Sequence, residues 1–164
     1  MIENSGFESG LANWGVFNGT VNITLDAFAG SSAVSLESNR AGIDQGFNVL
    51  AGETYTLSGY GKTTDVAWSG LGITFYNNEW TVLDKTSTRI SGEEWTEYTF
   101  DALAPEGATR GIVWAWKGGV RCQWKIPKKR RQTLIPIWKP QKPQTEFLWQ
   151  LNTGQVGHAV DISL

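Results

Sequence analysis

The stretch GIVWAWKGG, residues 111 to 119, sets two tryptophans two positions apart among strand-forming residues. Alternate side chains of a β-strand share a face. One face therefore takes Ile112, Trp114 and Trp116, and the other takes Val113, Ala115 and Lys117. Val and Ala suit the crowded interior between two sheets packed about 10 Å apart, whereas two indoles in register make a broad flat surface. Three readings stay open here: both indoles are core, as large aromatics commonly are, both form an exposed platform, or they are split.

The surrounding chain reads as β as well. TYTLSGYGK (54 to 62), LGITFYNN (71 to 78), EWTEYTFDAL (94 to 103) and RGIVWAWKG (110 to 118) alternate residue types at period two and are bounded by Gly, Asn, Asp or Pro. GVFNGTVNITLDAF (15 to 28) and SSAVSLES (31 to 38) are weaker candidates. Residues 1 to 120 hold no long apolar stripe at helical spacing. Short strands at intervals of about 8 to 12 residues predict an all-β fold, an antiparallel sandwich or barrel. Within the strands, Tyr55 and Leu57 oppose Thr56, Ser58 and Tyr60, and Tyr98 and Phe100 oppose Glu97, Thr99 and Asp101. One apolar and one polar face per strand is the pattern of two stacked sheets.

At 164 residues the chain fits a single domain, 1 to 164. Its net charge is -2, unevenly spread: residues 1 to 120 carry six Lys/Arg against fourteen Asp/Glu (-8), and 121 to 164 carry eight against two (+6). The lone Cys122 excludes an internal disulfide framework. No run approaches the roughly 18 apolar residues of a membrane helix, and MIENSGFESG lacks the basic-then-apolar pattern of a signal peptide. No membrane partner is expected.

NSGFESGLANW, AGSSAVSL, QGFNVLAGETYTLSGYGK, EEWTEYTFDALAPEGA and a terminal VDISL follow one another in an order that resembles carbohydrate-binding modules of families 4, 9 and 22. The resemblance covers residues 3 to 118 and 155 to 164. It implies a two-sheet antiparallel β-sandwich of jelly-roll type, non-catalytic binding of a β-linked polysaccharide such as xylan or glucan, and a secreted, extracellular setting as a module of a larger enzyme. Such modules bind glycans along a cleft of sheet aromatics and polar groups, which favours the platform reading of Trp114 and Trp116.

Sugar rings present apolar C–H faces that stack on aromatics, and hydroxyls that need donors and acceptors. Tyr60, Tyr76 and Trp80 are candidates for the same surface, and FYNNEW (75 to 80) adds Asn77, Asn78 and Glu79 beside an aromatic. Gln45, Lys62 and Arg110 are further polar candidates, and Trp68 and Trp80 stand near turns where they could line an end site. Trp14 and Trp95 read as core or edge packing. The resemblance also implies a structural calcium held by Glu8, carbonyls around DAFAGS, and Asp161; surface carboxylates with no ion are the alternative.

Catalysis finds little support. A glycosidase needs two carboxylates about 5 to 9 Å apart, and no motif distinguishes any acidic pair here. The single histidine, His158, leaves few parts for a triad or a multi-histidine zinc site.

Residues 120 to 153 depart from the resemblance. This basic segment contains no Gly and four of the five prolines, where the resembled modules make a short turn. It reads as an atypical insertion of separate origin, a graft or a locally shifted reading frame, with a natural inserted loop near the ligand site and a functional arm as the alternatives. Pro127, Pro136, Pro140 and Pro143 break long helices and bar central strands, leaving QTLIPIW and TEFLWQL as edge-strand candidates. Its exposed apolar residues would invite a homo-oligomer. KKRR beside Trp124, Trp138 and Trp149 is too short a basic cluster to favour nucleic acid over chance. Two alternative functions remain, a structural or adhesion sandwich and an altered scaffold that self-associates through the insertion.

Overall fold

The computed structural model describes residues 2–64, 67–118, 147–151 and 160–163, the last two stretches as strand backbone. The described chain is all β. Strands β1 (Gly15–Phe17), β4 (Gly42–Asn48), β9 (Arg110–Lys117), β6 (Ser69–Tyr76) and β7 (Val82–Ile90) form one sheet in the order β1-β4-β9-β6-β7. The second sheet has the order β11-β5-β10-β3-β2, from β2 (Val21–Thr24), β3 (Ala33–Leu36), β5 (Thr54–Thr63), β10 (Phe147–Leu151) and β11 (Val160–Ser163), with β8 (Gly92–Leu103) also paired to β5. The described residues include no helix long and apolar enough to cross a membrane.

The sandwich follows from the alternation. Tyr55 and Leu57 of β5 face Leu71, Ile73 and Phe75 of β6 and Val113 and Ala115 of β9 across one core, joined by Phe7, Leu36, Ile43 and Ile90. Phe7 is fully buried and lies 5.2 Å from the ring of Trp14, so the turn-rich N-terminal segment closes one end of the core. β4 and β7 escape the sequence pattern. Gly42 and Gly46 interrupt the alternation of β4, and β7 is an edge strand, exposed over most of its length.

Sheet pairing extends into the atypical segment. β10 lies between β3 and β5, a central position rather than the edge its surroundings suggest. Its five residues contain no proline, so every N–H is free to donate to a ladder. β11 runs parallel to β5 opposite Tyr55–Ser58, while the rest of the described pairing is antiparallel. The readings of Cys122, Trp124, Trp138, KKRR and His158 fall outside the described residues, as do those of 119–146 and 152–159 as a whole.

Candidate functional site

β9 is hydrogen-bonded to β4 on one side and β6 on the other, which aligns outward side chains in rows. Trp116 stands between Gly42 and Gly70, Trp114 between Asp44 and Gly72, Ile112 between Gly46 and Thr74, and Arg110 between Asn48 and Tyr76. The opposite face of β9 is the core side, where Val113 and Ala115 are fully buried. Both indoles therefore lie outside the two-sheet core, on the outer face of the five-stranded sheet.

Glycines make this arrangement possible. A Cβ on Gly72 would run into the Trp114 ring, one on Gly42 into the Phe17 ring, and one on Gly70 into the Trp68 ring. The rings lie down against bare backbone. Trp68 sits 6.3 Å from Trp114 and 6.0 Å from Trp116, and its carbonyl accepts the Gly118 N–H at 2.6 Å. Phe17, Asp44, Thr74, Tyr76, Lys85, Ile112, Trp114 and Trp116 line a cleft of about 230 Å³. That is below the roughly 300–1,000 Å³ of enclosed small-molecule pockets.

The two central indoles differ in access. Trp114 is only 8% exposed: its Nε1 donates to Thr74 Oγ1 at 3.0 Å, and Lys85 Nζ lies 4.4 Å above its ring. Trp116 is half-buried, and its Nε1 is buried without an acceptor among the described residues. An unmet buried donor is rare in a folded chain. Burial pushes the Asp44 carboxyl above its ordinary range.

The other end of the face belongs to Tyr76 and Trp80, whose rings meet edge to face at 5.7 Å, with the Arg110 guanidinium 4.4 Å over Trp80. Gly70 and Tyr76 are six positions apart on β6, about 20 Å of strand. Trp80 is 58% exposed and has φ +60°. Asn77 holds that turn: its Oδ1 accepts from the N–H groups of Glu79 at 3.0 Å and Thr81 at 2.9 Å. Asn78 and Glu79 are exposed in the same turn.

The geometry thus brings Trp114, Trp116, Tyr76, Trp80 and Arg110 to one face, with Asn78 and Glu79 exposed in the turn at its end and Asn77 as that turn's cap. It separates two other candidates. Gln45 points to the inner side and is bound to the N-terminal segment, with Nε2 donating to Glu3 O at 3.0 Å and Asn13 O at 2.9 Å, and Oε1 accepting from Glu3 N at 2.6 Å. Tyr60 belongs to the second sheet, where it stacks on Phe28 at 3.7 Å. On that sheet Lys62 pairs with Asp26 at 2.7 Å, and Trp95 donates to Asp26 at 3.3 Å. Phe17, Asp44 and Lys85 join the site without having been singled out in the sequence, and Trp68, read there as lining an end site, joins it beside Trp114 and Trp116. Gly70-x-Gly72, matching the Trp114-x-Trp116 spacing, is the signal that could have found the seat of these rings.

The calcium expectation rests on Glu8 and Asp161. Glu8 accepts from the Ser31 N–H at 2.8 Å, the Ser31 hydroxyl and the Ser32 N–H at 3.2 Å, and these bonds, led by the Ser31 hydroxyl, hold its carboxyl below the ordinary range. An ion at those oxygens would face N–H groups. Calcium wants six to eight oxygens, and the described residues contain no group of three or more metal-ligating side chains. The Asp161 side chain lies outside the described residues. Among the described residues the calcium expectation therefore rests on Glu8 alone.

No family model and no curated protein matches the chain. Solved structures do. The enzymatically active domain of tailspike protein 4 from bacteriophage CBA120 superposes at a TM-score of 0.66 and 14% identity, over 91% of this chain and 20% of that one. A family 16 carbohydrate-binding module superposes at 0.63 and 15% identity, over 90% of this chain and 93% of that one. The family 22 module of Clostridium thermocellum xylanase 10B, solved with its catalytic module and xylohexaose, superposes at 0.58 and 13% identity, over 89% of this chain and 26% of that one. The chain thus spans about a fifth of the tailspike chain and about a quarter of the xylanase chain. The shared property is the fold, the β-sandwich of carbohydrate-binding modules.

Proposed function

We propose that this β-sandwich binds a β-linked polysaccharide on the outer face of its five-stranded sheet, without cleaving it. The observation that carries the reading is the placement of Trp68, Trp116, Tyr76 and Trp80 on one face, opposite the core, with a cleft between them. Trp116, Trp68 and Trp80 offer ring surface for the apolar sides of sugar rings. Trp114, capped by Lys85, braces its neighbours. Asp44 and Tyr76 supply an acceptor and a donor for hydroxyls. The likeness to carbohydrate-binding modules supports the same reading, and xylan, glucan and galactan are the backbones to try first.

Binding without chemistry fits the cleft lining. Asp44 is the one carboxylate among the residues that line it, whereas glycoside hydrolysis asks for a pair. A module tethered to a larger extracellular enzyme would use such a face to keep its partner near the polymer.

Affinity electrophoresis of the wild type, Trp116→Ala and Trp80→Ala through gels containing soluble xylans, glucans or galactans tests the proposal. Retardation of the wild type by at least one glycan, weakened about tenfold or more in each variant (about 1.4 kcal/mol), is the expected result. Unretarded migration on every glycan, with the proteins folded by circular dichroism, overturns it and leaves a structural or adhesion role.

A further inference from the structure

The charge on the binding face runs against that of the chain around it. Residues 1 to 120 hold six Lys/Arg and fourteen Asp/Glu, yet the outer face of the five-stranded sheet collects Lys85, Arg89 and Arg110. Lys85 stands opposite Thr74 and Arg89 opposite Gly70 on β7, and Arg110 stands opposite Tyr76 on β9. Asp44 is the single carboxylate in those rows among the described strands, since Asp84 pairs with Phe75 on the inward register. Glu79 lies beyond the last row, in the turn that carries Trp80. None of the three cations has an ion-pair partner among the described residues, whereas Lys62 on the other sheet is bound to Asp26.

Two of the cations sit on rings of the site itself. Lys85 Nζ lies 4.4 Å over Trp114, and the Arg110 guanidinium lies 4.4 Å over Trp80. Arg89 shares its row with Gly70 and Trp116. The three are therefore spread along the whole length of the face. Charges within a Debye length, about 8 Å at physiological salt, still act on a ligand lying there, and guanidinium groups take carboxylates or sulfates through paired hydrogen bonds. A neutral polymer would take only hydrogen bonds from these cations, whereas an anionic one adds charge pairing. Leaving them without ion pairs within the acidic residues 1 to 120 points to a ligand that brings the negative charge.

We propose, resting on the glycan-binding reading above, that the preferred ligand is an anionic polysaccharide, with its carboxylates or sulfates meeting Lys85, Arg89 and Arg110 while its sugar rings lie on Trp116, Trp68 and Trp80. The excess of Asp/Glu over Lys/Arg elsewhere in residues 1 to 120 disfavours such a polymer on the rest of that part of the chain.

The test compares carboxymethylcellulose with neutral hydroxyethylcellulose, both β-1,4-glucans, alongside a sulfated galactan, by affinity electrophoresis and isothermal titration. The proposal expects wild-type binding to carboxymethylcellulose to exceed that to hydroxyethylcellulose, or binding to the sulfated galactan to exceed that to its desulfated counterpart, at least fivefold at 20 mM salt. The ratio should shrink toward one at 500 mM salt and in the double variant Lys85→Gln/Arg89→Gln. Equal binding of charged and neutral forms by the wild type overturns the inference and leaves the proposed function intact. Binding to neutral glycans alone does the same. Failure to bind any polymer, charged or neutral, removes both.

Discussion

The indole of Trp114 fills the space that a side chain at Gly72 would need, so the two residues are a matched pair across neighbouring strands. Gly72→Ala is expected to lift that ring and push against the Thr86 carbonyl as well, 2.8 Å from the new methyl group. Overpacking of this kind costs about 1–3 kcal/mol. Denaturant unfolding should show the loss, and tryptophan fluorescence should report the displaced indole.

Trp80 keeps φ +60° although it is bulky and largely exposed. Such backbone conformations cost about 1–3 kcal/mol in a residue other than glycine, and asparagine tolerates them better. Trp80→Asn is therefore expected to raise the Tm while weakening glycan binding. A variant that loses both stability and binding would place Trp80 among the packing residues instead.

Gln45 makes three hydrogen bonds to the segment that carries Phe7. Gln45→Ala leaves two carbonyls and an N–H without that partner, at a cost of about 1–3 kcal/mol where they stay shielded from water. Stability should fall and glycan affinity should hold, as read by denaturation and affinity electrophoresis on the same preparation.

Tyr60 and Phe28 stack at 3.7 Å with their planes 8° apart, on the sheet away from the cleft. Tyr60→Ala is expected to lose about 0.5–1.5 kcal/mol of pair energy beyond buried area, with no change in glycan binding.

Acid titration should reveal opposite signs. Glu8 and Asp26 have carboxyls held below the ordinary range, by the Ser31 hydroxyl and by Lys62 respectively, so their stabilisation is present above their unfolded pKa and lost as pH falls through the folded one. Asp44 is raised by burial, so the folded state binds its proton more tightly and ionisation weakens the fold as pH rises through the window above 3.8. Asp44→Asn should therefore raise the Tm at pH 7 and change it less at pH 3. Thermal melts across that range check both signs.

Much of this was legible in the chain because alternation reports faces directly. The grouping of Val113 with Ala115 against Trp114 with Trp116 could be read from alternation, whereas which pair faces the core stayed open, and β5 kept its expected faces. Alternation does not say which sheet a strand joins. Tyr60 has the outward parity of its strand, yet long-range pairing puts that strand in the sheet without the cleft. Gln45 has the inward parity of Ile43, but the two glycines of β4 concealed the strand. Trp68 precedes β6, and only the ring's position over Gly70 reveals its part.

β9, the strand bearing both central indoles, is laddered along both edges, and its rings rest on glycine backbone. The entropy of fixing those rings is thus spent during folding, before any ligand arrives. A polymer settling there surrenders its own torsional freedom and little of the protein's. Tightness on this surface accordingly depends on how stiff the arriving chain already is, and a polymer with a rigid extended backbone holds an advantage over a coiling one of identical sugar content.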